Sequence, residues 1–491
     1  MKNPTKTHLS RLFFLLLLVG AFLLPACHWR SEKDLKKSVV KVFTTIQNVD
    51  FYEPWKPGAQ AQLEGCGVVI PGNRILTTAH NVDKGNYIEV QKFGETKRYV
   101  AKVEQVGYDT DLAILSLEDP EFFKEALPVD FGDLPSPGDK LLIHGGDEIS
   151  VKEDTLSGLD MVWSTESQRY IPGLMTYEPI DSKKDGCPVF DKGSFIGLTF
   201  ESVHEPDKTG SLIPVNVVKA FLRNIKVNRD YNGFPDMGLL VQNLENPSLQ
   251  SYYQLPPDKT GVVVTKVLYG GSSDGVLREG DLLTSIDGHP IDDEGDINLA
   301  KSQRIDWTYL VTFCLVGEKM SLEVIREGKP MKVQVTLKPI STLVSFRPDN
   351  THPTYLMYAG FVFVPLTANY FQMGNWENFK PDLKDFYLHG FPSPDRKQVV
   401  LISHVLPHEI NVGYDRQSNM IVEKVNGKPI SDMNDLIEAI KNPVDGYQVI
   451  EVDDHAWFGT KIVFDAAKAA QATADLLAEF KIPADRSPDL K

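Results

Sequence analysis

From residue 37 to about 225 the chain sets short apolar runs between turn residues. Val39-Val40-Lys41-Val42-Phe43, Gly67-Val68-Val69-Ile70, Leu112-Ala113-Ile114-Leu115 and Leu141-Leu142-Ile143 are separated by stretches rich in Gly, Pro and Asp. Many short strands with this punctuation predict an antiparallel sandwich or barrel. Val217 to Ile225 carries apolar residues at helical spacing, which predicts a helix that closes the unit. The polar, Gly- and Pro-containing stretch from Asn228 to Pro235 reads as a boundary.

Beyond that boundary one pattern occurs twice. Leu282-Leu283-Thr284-Ser285-Ile286 runs into Asp287-Gly288-His289-Pro290-Ile291, and Met420-Ile421-Val422-Glu423-Lys424-Val425 into Asn426-Gly427-Lys428-Pro429-Ile430. Each is an apolar strand meeting an Asp-Gly or Asn-Gly turn, the residue pairs that accept positive φ at a hairpin. The copies lie 139 residues apart, too far for a solenoid, so they predict two domains of one type. Ser431 is expected to cap the next helix, with Leu436, Ile437 and Ile440 on its inner face.

Length agrees with three folded units: 491 residues at about 150 per domain. Apolar residues make 42% and charged residues 24%, enough to fill real cores. The net charge of −16 argues against a nucleic-acid partner, which needs a basic stripe to meet phosphates. Four cysteines exclude a disulfide-stapled scaffold and any paired CxxC zinc module, and no histidine spacing suggests a metal. No cofactor is expected.

The first segment reads as an address. Lys2, Lys6 and Arg11 precede a charge-free run from Leu12 to Leu24, shorter than the roughly 20 residues of a spanning helix. Leu24-Pro25-Ala26-Cys27 resembles a bacterial lipobox, with Pro25 an unusual member. It implies removal of residues 1–26 and lipidation of Cys27. A plain signal peptide or a single anchor helix is the alternative. The expected location is the bacterial cell envelope, facing the periplasm and held to a membrane only by the lipid anchor.

Three motifs follow in order. Gly65-Cys66-Gly67-Val68-Val69-Ile70 leads to Ile75-Leu76-Thr77-Thr78-Ala79-His80. Asp109-Thr110-Asp111-Leu112-Ala113-Ile114-Leu115 comes next. Ile180-Asp181-Ser182-Lys183-Lys184-Asp185-Gly186-Cys187-Pro188 is the third. Together they resemble the Deg/HtrA (protease Do-like) family of chymotrypsin-fold serine proteases. Leu277-Arg278-Glu279-Gly280-Asp281-Leu282-Leu283 with Asp287-Gly288 resembles PDZ. Tyr358 to Thr367 resembles the divergent second PDZ of the plant-type branch. The resemblance implies a mainly β chain, with a chymotrypsin-like double β-barrel at 37–228 and PDZ domains at 232–340 and 348–491, the last with a C-terminal helix. It gives His80 and Asp111 the roles of base and orienting acid. It implies peptide capture at Met237, Gly238 and Leu239 in the first PDZ copy. In the second it implies capture at Ala359, Gly360 and Phe361, unless the chain fills that groove itself. Partners would be unfolded polypeptides or protein C-termini, and the assembly a homo-oligomer, often a trimer.

One departure outweighs these matches. Aligned on the family's nucleophile elbow, Gly186 matches the glycine after the serine, so Asp185 occupies the serine position. A carboxylate has no proton to pass to a histidine base at neutral pH. Lys183 takes a glycine position that shapes the oxyanion hole, and loss of one donor there costs about 10²–10³ in rate. Cys187 replaces a second glycine. A rescue by Cys187 or Ser182 requires a nucleophile within hydrogen-bond reach of His80. The resemblance further suggests a Cys66–Cys187 disulfide beneath the site, with two buried free thiols as the alternative. The sequence therefore supports a catalytically inactive relative acting as peptide-binding chaperone, scaffold or regulatory subunit. An active trypsin-like endopeptidase of protein quality control is the competing reading.

Overall fold

The computed structural model describes residues 31–145, 150–164, 166–180, 185–200, 210–299, 303–340, 342–345, 353–415, 417–453 and 460–490. The leader, Cys27, Ser182 and Lys183 lie outside the described residues.

Two six-stranded barrels follow one another. The first closes in the order β1-β2-β3-β6-β5-β4. Its strands are β1 (Val39–Val49), β2 (Pro57–Ile70), β3 (Arg74–Thr77), β4 (Gly85–Lys92), β5 (Arg98–Gly107) and β6 (Leu112–Leu117). The second closes as β10-β11-β12-β9-β8-β7. It comprises β7 (Lys140–Gly145), β8 (Ser150–Ser164), β9 (Arg169–Thr176), β10 (Pro188–Asp191), β11 (Ser194–Phe200) and β12 (Gly210–Pro214). Closure removes every free sheet edge, which runs of this length could otherwise present for aggregation. The interiors hold the predicted apolar runs: Val40, Val69, Ile75 and Leu115 are fully buried in the first barrel, and Leu141, Ile143 and Val189 in the second. The helix Val215–Asn228 then lays Val217, Val218, Phe221 and Ile225 onto this core.

The two copies of the repeated pattern fold alike, with one difference. In the middle unit the strands Leu239–Asn243, Val262–Val267, Leu282–Ile286, Lys319–Arg326 and Lys329–Thr336 form one antiparallel sheet, with Leu239–Asn243 at its edge. In the C-terminal unit the corresponding run is Phe361–Pro365, Val400–Val405, Met420–Val425, Tyr447–Val452 and Lys461–Asp465, but an extra strand, Leu356–Tyr358, pairs along Phe361–Pro365. Both hairpin turns take the backbone their residues favour, with Asp287, Gly288, Asn426 and Gly427 all at positive φ. One expectation is corrected. Asp432, not Ser431, caps the helix Met433–Ile440, its carboxylate accepting from Asp435 N–H at 2.9 Å. Ser431 stands one residue outside and accepts from Lys397 N–H instead.

The units touch. The segment between β1 and β2 reaches the C-terminal unit, where Phe51 packs edge-on to Tyr370 at 5.7 Å and Trp55 to Tyr355 at 5.7 Å. Asn216 donates to the Tyr309 hydroxyl of the middle unit at 3.0 Å.

The extra hairpin depends on Gly360. It sits at φ 86°, and a methyl group there would overlap the Asn411 amide and the Leu406 carbonyl. Gly446, at φ 83°, has open space around it. Gly446→Ala is therefore expected to cost only the left-handed backbone penalty, about 1 kcal/mol, and Gly360→Ala at least about 2 kcal/mol more. Urea unfolding of the two variants measures the difference, and equal losses would contradict the packing described.

Candidate active site

Three strand connections bring the predicted residues together between the barrels. β3 pairs with β6, Thr77 opposite Ala113, which puts the turn after β3 beside the turn before β6. His80 lies on the first turn and Asp111 on the second. Asp111 adopts φ 52°, a conformation aspartate tolerates better than most residues. Its carboxylate accepts from His80 N–H at 3.0 Å through Oδ1 and meets His80 Nδ1 at 2.7 Å through Oδ2. The second barrel supplies Asp185, just before β10. Its Oδ2 lies 2.7 Å from His80 Nε2.

Both ring nitrogens of His80 therefore face a carboxylate. The His80 side chain is 19% exposed, Asp185 15% and Asp111 1%. Burial opposes a charged imidazole, but the two carboxylates outweigh it and hold the His80 pKa well above its usual 6.5. A pKa raised on folding stabilises the protein fully below about pH 6.5, and the contribution is lost as pH rises through the raised value.

The elbow around Asp185 is fastened on several sides. Its second oxygen accepts from Gly186 N–H at 2.9 Å, and its carbonyl accepts from Cys66 N–H at 3.3 Å and Asn81 Nδ2 at 3.4 Å. Gly186 sits at φ 70°, where a Cβ would lie 2.5 Å from Asn81 Nδ2. Cys66 on β2 and Cys187 are joined by a disulfide that ties the first barrel to the second, both residues being 2% exposed or less. Gly145 gives it room, since a side chain there would overlap both sulfurs. With its sulfur bonded, Cys187 is no nucleophile for His80.

Other expected positions fall as follows. Met237 and Leu239 line a cavity beside the free edge strand of the middle unit, and Gly238, at φ 66°, shapes the turn before it. The C-terminal triplet forms no corresponding open site among the described residues: the strand Leu356–Tyr358 occupies that edge, the alternative in which the chain fills the groove itself. Ala359 and Gly360 make the turn of the extra hairpin, Phe361 is already paired with Tyr358, and all three residues are buried. The Ala359 N–H and carbonyl are taken by Thr473 and Asn411. Cys314 is half-buried, and burial pushes its thiol up to about 11.

Several groups escaped the sequence reading. Asn81 steadies the elbow and directly follows His80 in the chain. Glu166, between β8 and β9, has its pKa raised by burial and feels His80, Asp111 and Asp185. His144 is buried beside Phe190 without a hydrogen-bond partner among the described residues, and burial depresses its pKa to about 4. Asp292, Glu294 and Asp296 cluster with their carboxylate oxygens within 4.8 Å of one another, around the guanidinium of Arg304.

The fold and this constellation define a double-barrel, trypsin-like peptidase unit joined to sheet modules. Residues 65–198 match the trypsin-like peptidase domain and residues 344–489 match a PDZ domain. Chloroplastic protease Do-like 2 of Arabidopsis thaliana is 32% identical over 466 residues, covering 94% of this chain and 76% of that protein. The putative mitochondrial protease Do-like 3 of the same plant is 30% identical over 458 residues, covering 92% and 80%. A solved HtrA-type protease with a decapeptide shares 20% identity, with 62% of this chain and 97% of that one covered at a TM-score of 0.48. The chain belongs to the protease Do-like (Deg/HtrA) family.

The disulfide closes a sequence separation of 121 residues across the cleft. Replacing Cys66 and Cys187 together by Ala is expected to lower the stability of the double barrel by ~2–4 kcal/mol. The urea midpoint of that unit reads the loss; an unchanged midpoint would contradict a role in holding the barrels together.

Proposed function

We propose that this protein is a non-catalytic member of its family, a peptide-binding chaperone, scaffold or regulatory subunit of the bacterial cell envelope. The observation that carries this reading is the 2.7 Å contact of the Asp185 carboxylate with His80 Nε2. In a serine peptidase that nitrogen takes the hydroxyl proton during attack and later returns it to the leaving amine. Here it meets a carboxylate that has no proton to give at 2.7 Å, with the Thr78 hydroxyl farther off at 3.4 Å, and the two carboxylates favour the charged ring, which has no free lone pair. Attack by the carboxylate itself would give an anhydride with a poor route onward. Lys183 at the expected oxyanion position adds to the loss.

Peptide binding is supported by the middle unit, which we read as the first PDZ domain. Its strand Leu239–Asn243 has an unpaired outer edge among the described residues, onto which an extended peptide can add as a further strand. The C-terminal PDZ unit, with that edge filled by its own chain and its aromatic residues against the first barrel, serves as an assembly element. The lipidated Cys27, the envelope location and a trimer-based oligomer belong to the same proposal. No helix among the described residues is long and apolar enough to cross a membrane.

The family's named members are proteases, so an active endopeptidase is the reading to exclude. Purified protein incubated with unfolded casein is expected to leave it intact, a deficit on the order of 10⁴–10⁶-fold against a working serine triad. The protein should instead suppress aggregation of that substrate. Cleavage by the starting protein that disappears in His80→Ala would overturn the proposal.

A further inference from the structure

His144 stands near the end of β7, fully buried, and neither of its ring nitrogens has a hydrogen-bond partner among the described residues. Its ring meets Phe190 of β10 edge-on at 5.1 Å. An imidazole in such a place stays neutral, because charging it would bury an ion whose protons nothing accepts. Burial accordingly depresses its pKa to about 4, the Glu32 carboxylate working against that shift and the Lys36 ammonium with it. Among the described residues these two are the charged groups that act on the ring, and both come from the short helix Glu32–Lys36. The strands that flank β7, β8 and β10, add none.

The two elements differ in how firmly they are held. β7 pairs with β8 along its whole length and with β10 at Leu142 and Ile143, and Gly145 at its end lies against the Cys66–Cys187 disulfide. It has no freedom to carry the ring to water. The helix is five residues long and buries one side chain, Leu35, which joins the same apolar cluster as Phe190. Its Glu32 and Lys36 pair with each other at 2.8 Å, so the carboxylate is turned to the lysine and is not placed to receive a proton from His144.

We propose that protonation of His144 releases the helix Glu32–Lys36 from the double barrel, so that acid loosens the segment joining the leader to the folded body. Release opens the ring to water and frees Glu32 as a counter-ion. The sign follows from the two states. The docked state holds the ring near pKa 4, and the released state returns it to the ordinary 6.5. Above pH 6.5 the difference has no effect. It grows as pH falls, and by pH 5.0 it favours release by about 30-fold. His80 does not share this response, since a pKa raised on folding keeps its full stabilising effect in acid. The device is independent of the peptide-binding reading.

The test is amide hydrogen exchange on the full chain at pH 7.5 and pH 5.0, read by mass spectrometry and corrected for the pH dependence of intrinsic exchange. The reporters are the Leu35, Lys37 and Ser38 N–H groups, which the docked helix bonds to the Ser31, Asp34 and Leu35 carbonyls. Their protection should fall by about 30-fold at pH 5.0 while the amides of β7 and β8 keep theirs. In His144→Phe the fall should vanish. Protection that is unchanged at pH 5.0, that falls equally in His144→Phe, or that is lost together with that of β7 and β8 overturns the proposal. Should His144→Phe fail to fold, Leu35→Ala decides: weaker docking should move the transition to higher pH, and an unshifted midpoint overturns the proposal.

Discussion

One imidazole ring between two carboxylates governs the chemistry of this molecule. Asp111 at Nδ1 is compatible with catalysis, since an acid there orients the ring and supports the charge that forms during attack. On the proposed reading Asp185 at Nε2 is not, because its carboxylate favours the charged ring before any substrate is present. In a working triad the ring alternates between neutral and charged states as the hydroxyl proton comes and goes. With an anion on each side the charged state is favoured, and the proposed function takes that alternation to be lost. On that reading the cleft is an ionic clasp between the barrels, since His80 and Asp111 belong to one and Asp185 to the other.

The disulfide reinforces the same boundary. Cys66 and Cys187 flank the clasp, and the Cys66 N–H also holds the Asp185 carbonyl. The described part of the elbow is held by the disulfide, the ion pair to His80 and the Asn81 amide. What remains open is elsewhere: the edge strand of the middle unit and the cavity beside it.

Much of this was legible in the chain because local patterns carried it. The Thr78-Ala79-His80 and Asp111-Leu112-Ala113 words resemble those of the Deg/HtrA family, and that resemblance makes the histidine and the acid readable. The repeat was readable because Asp287-Gly288 and Asn426-Gly427 demand one kind of hairpin. The rest was hidden by distance along the sequence. Near Phe361 the sequence leaves open a ligand loop at Ala359-Gly360 or a groove filled by the chain itself, and the packing of Asn411 and Thr473 makes it a buried hairpin. Ser431 and Asp432 are both acceptable caps, and the choice fell to Asp432 because Ser431 is engaged by Lys397.

The protonation state of His80 decides between a clasp and a competent site. In protein labelled with ¹⁵N-histidine, with the His80 signals assigned by their absence from His80→Ala, both ring nitrogens should carry protons at pH 7.5. The titration midpoint should lie well above 6.5 and fall in Asp185→Asn. A neutral ring at pH 7.5 with a midpoint at or below 6.5 would contradict the clasp and return the site to the chemistry of a base awaiting its nucleophile.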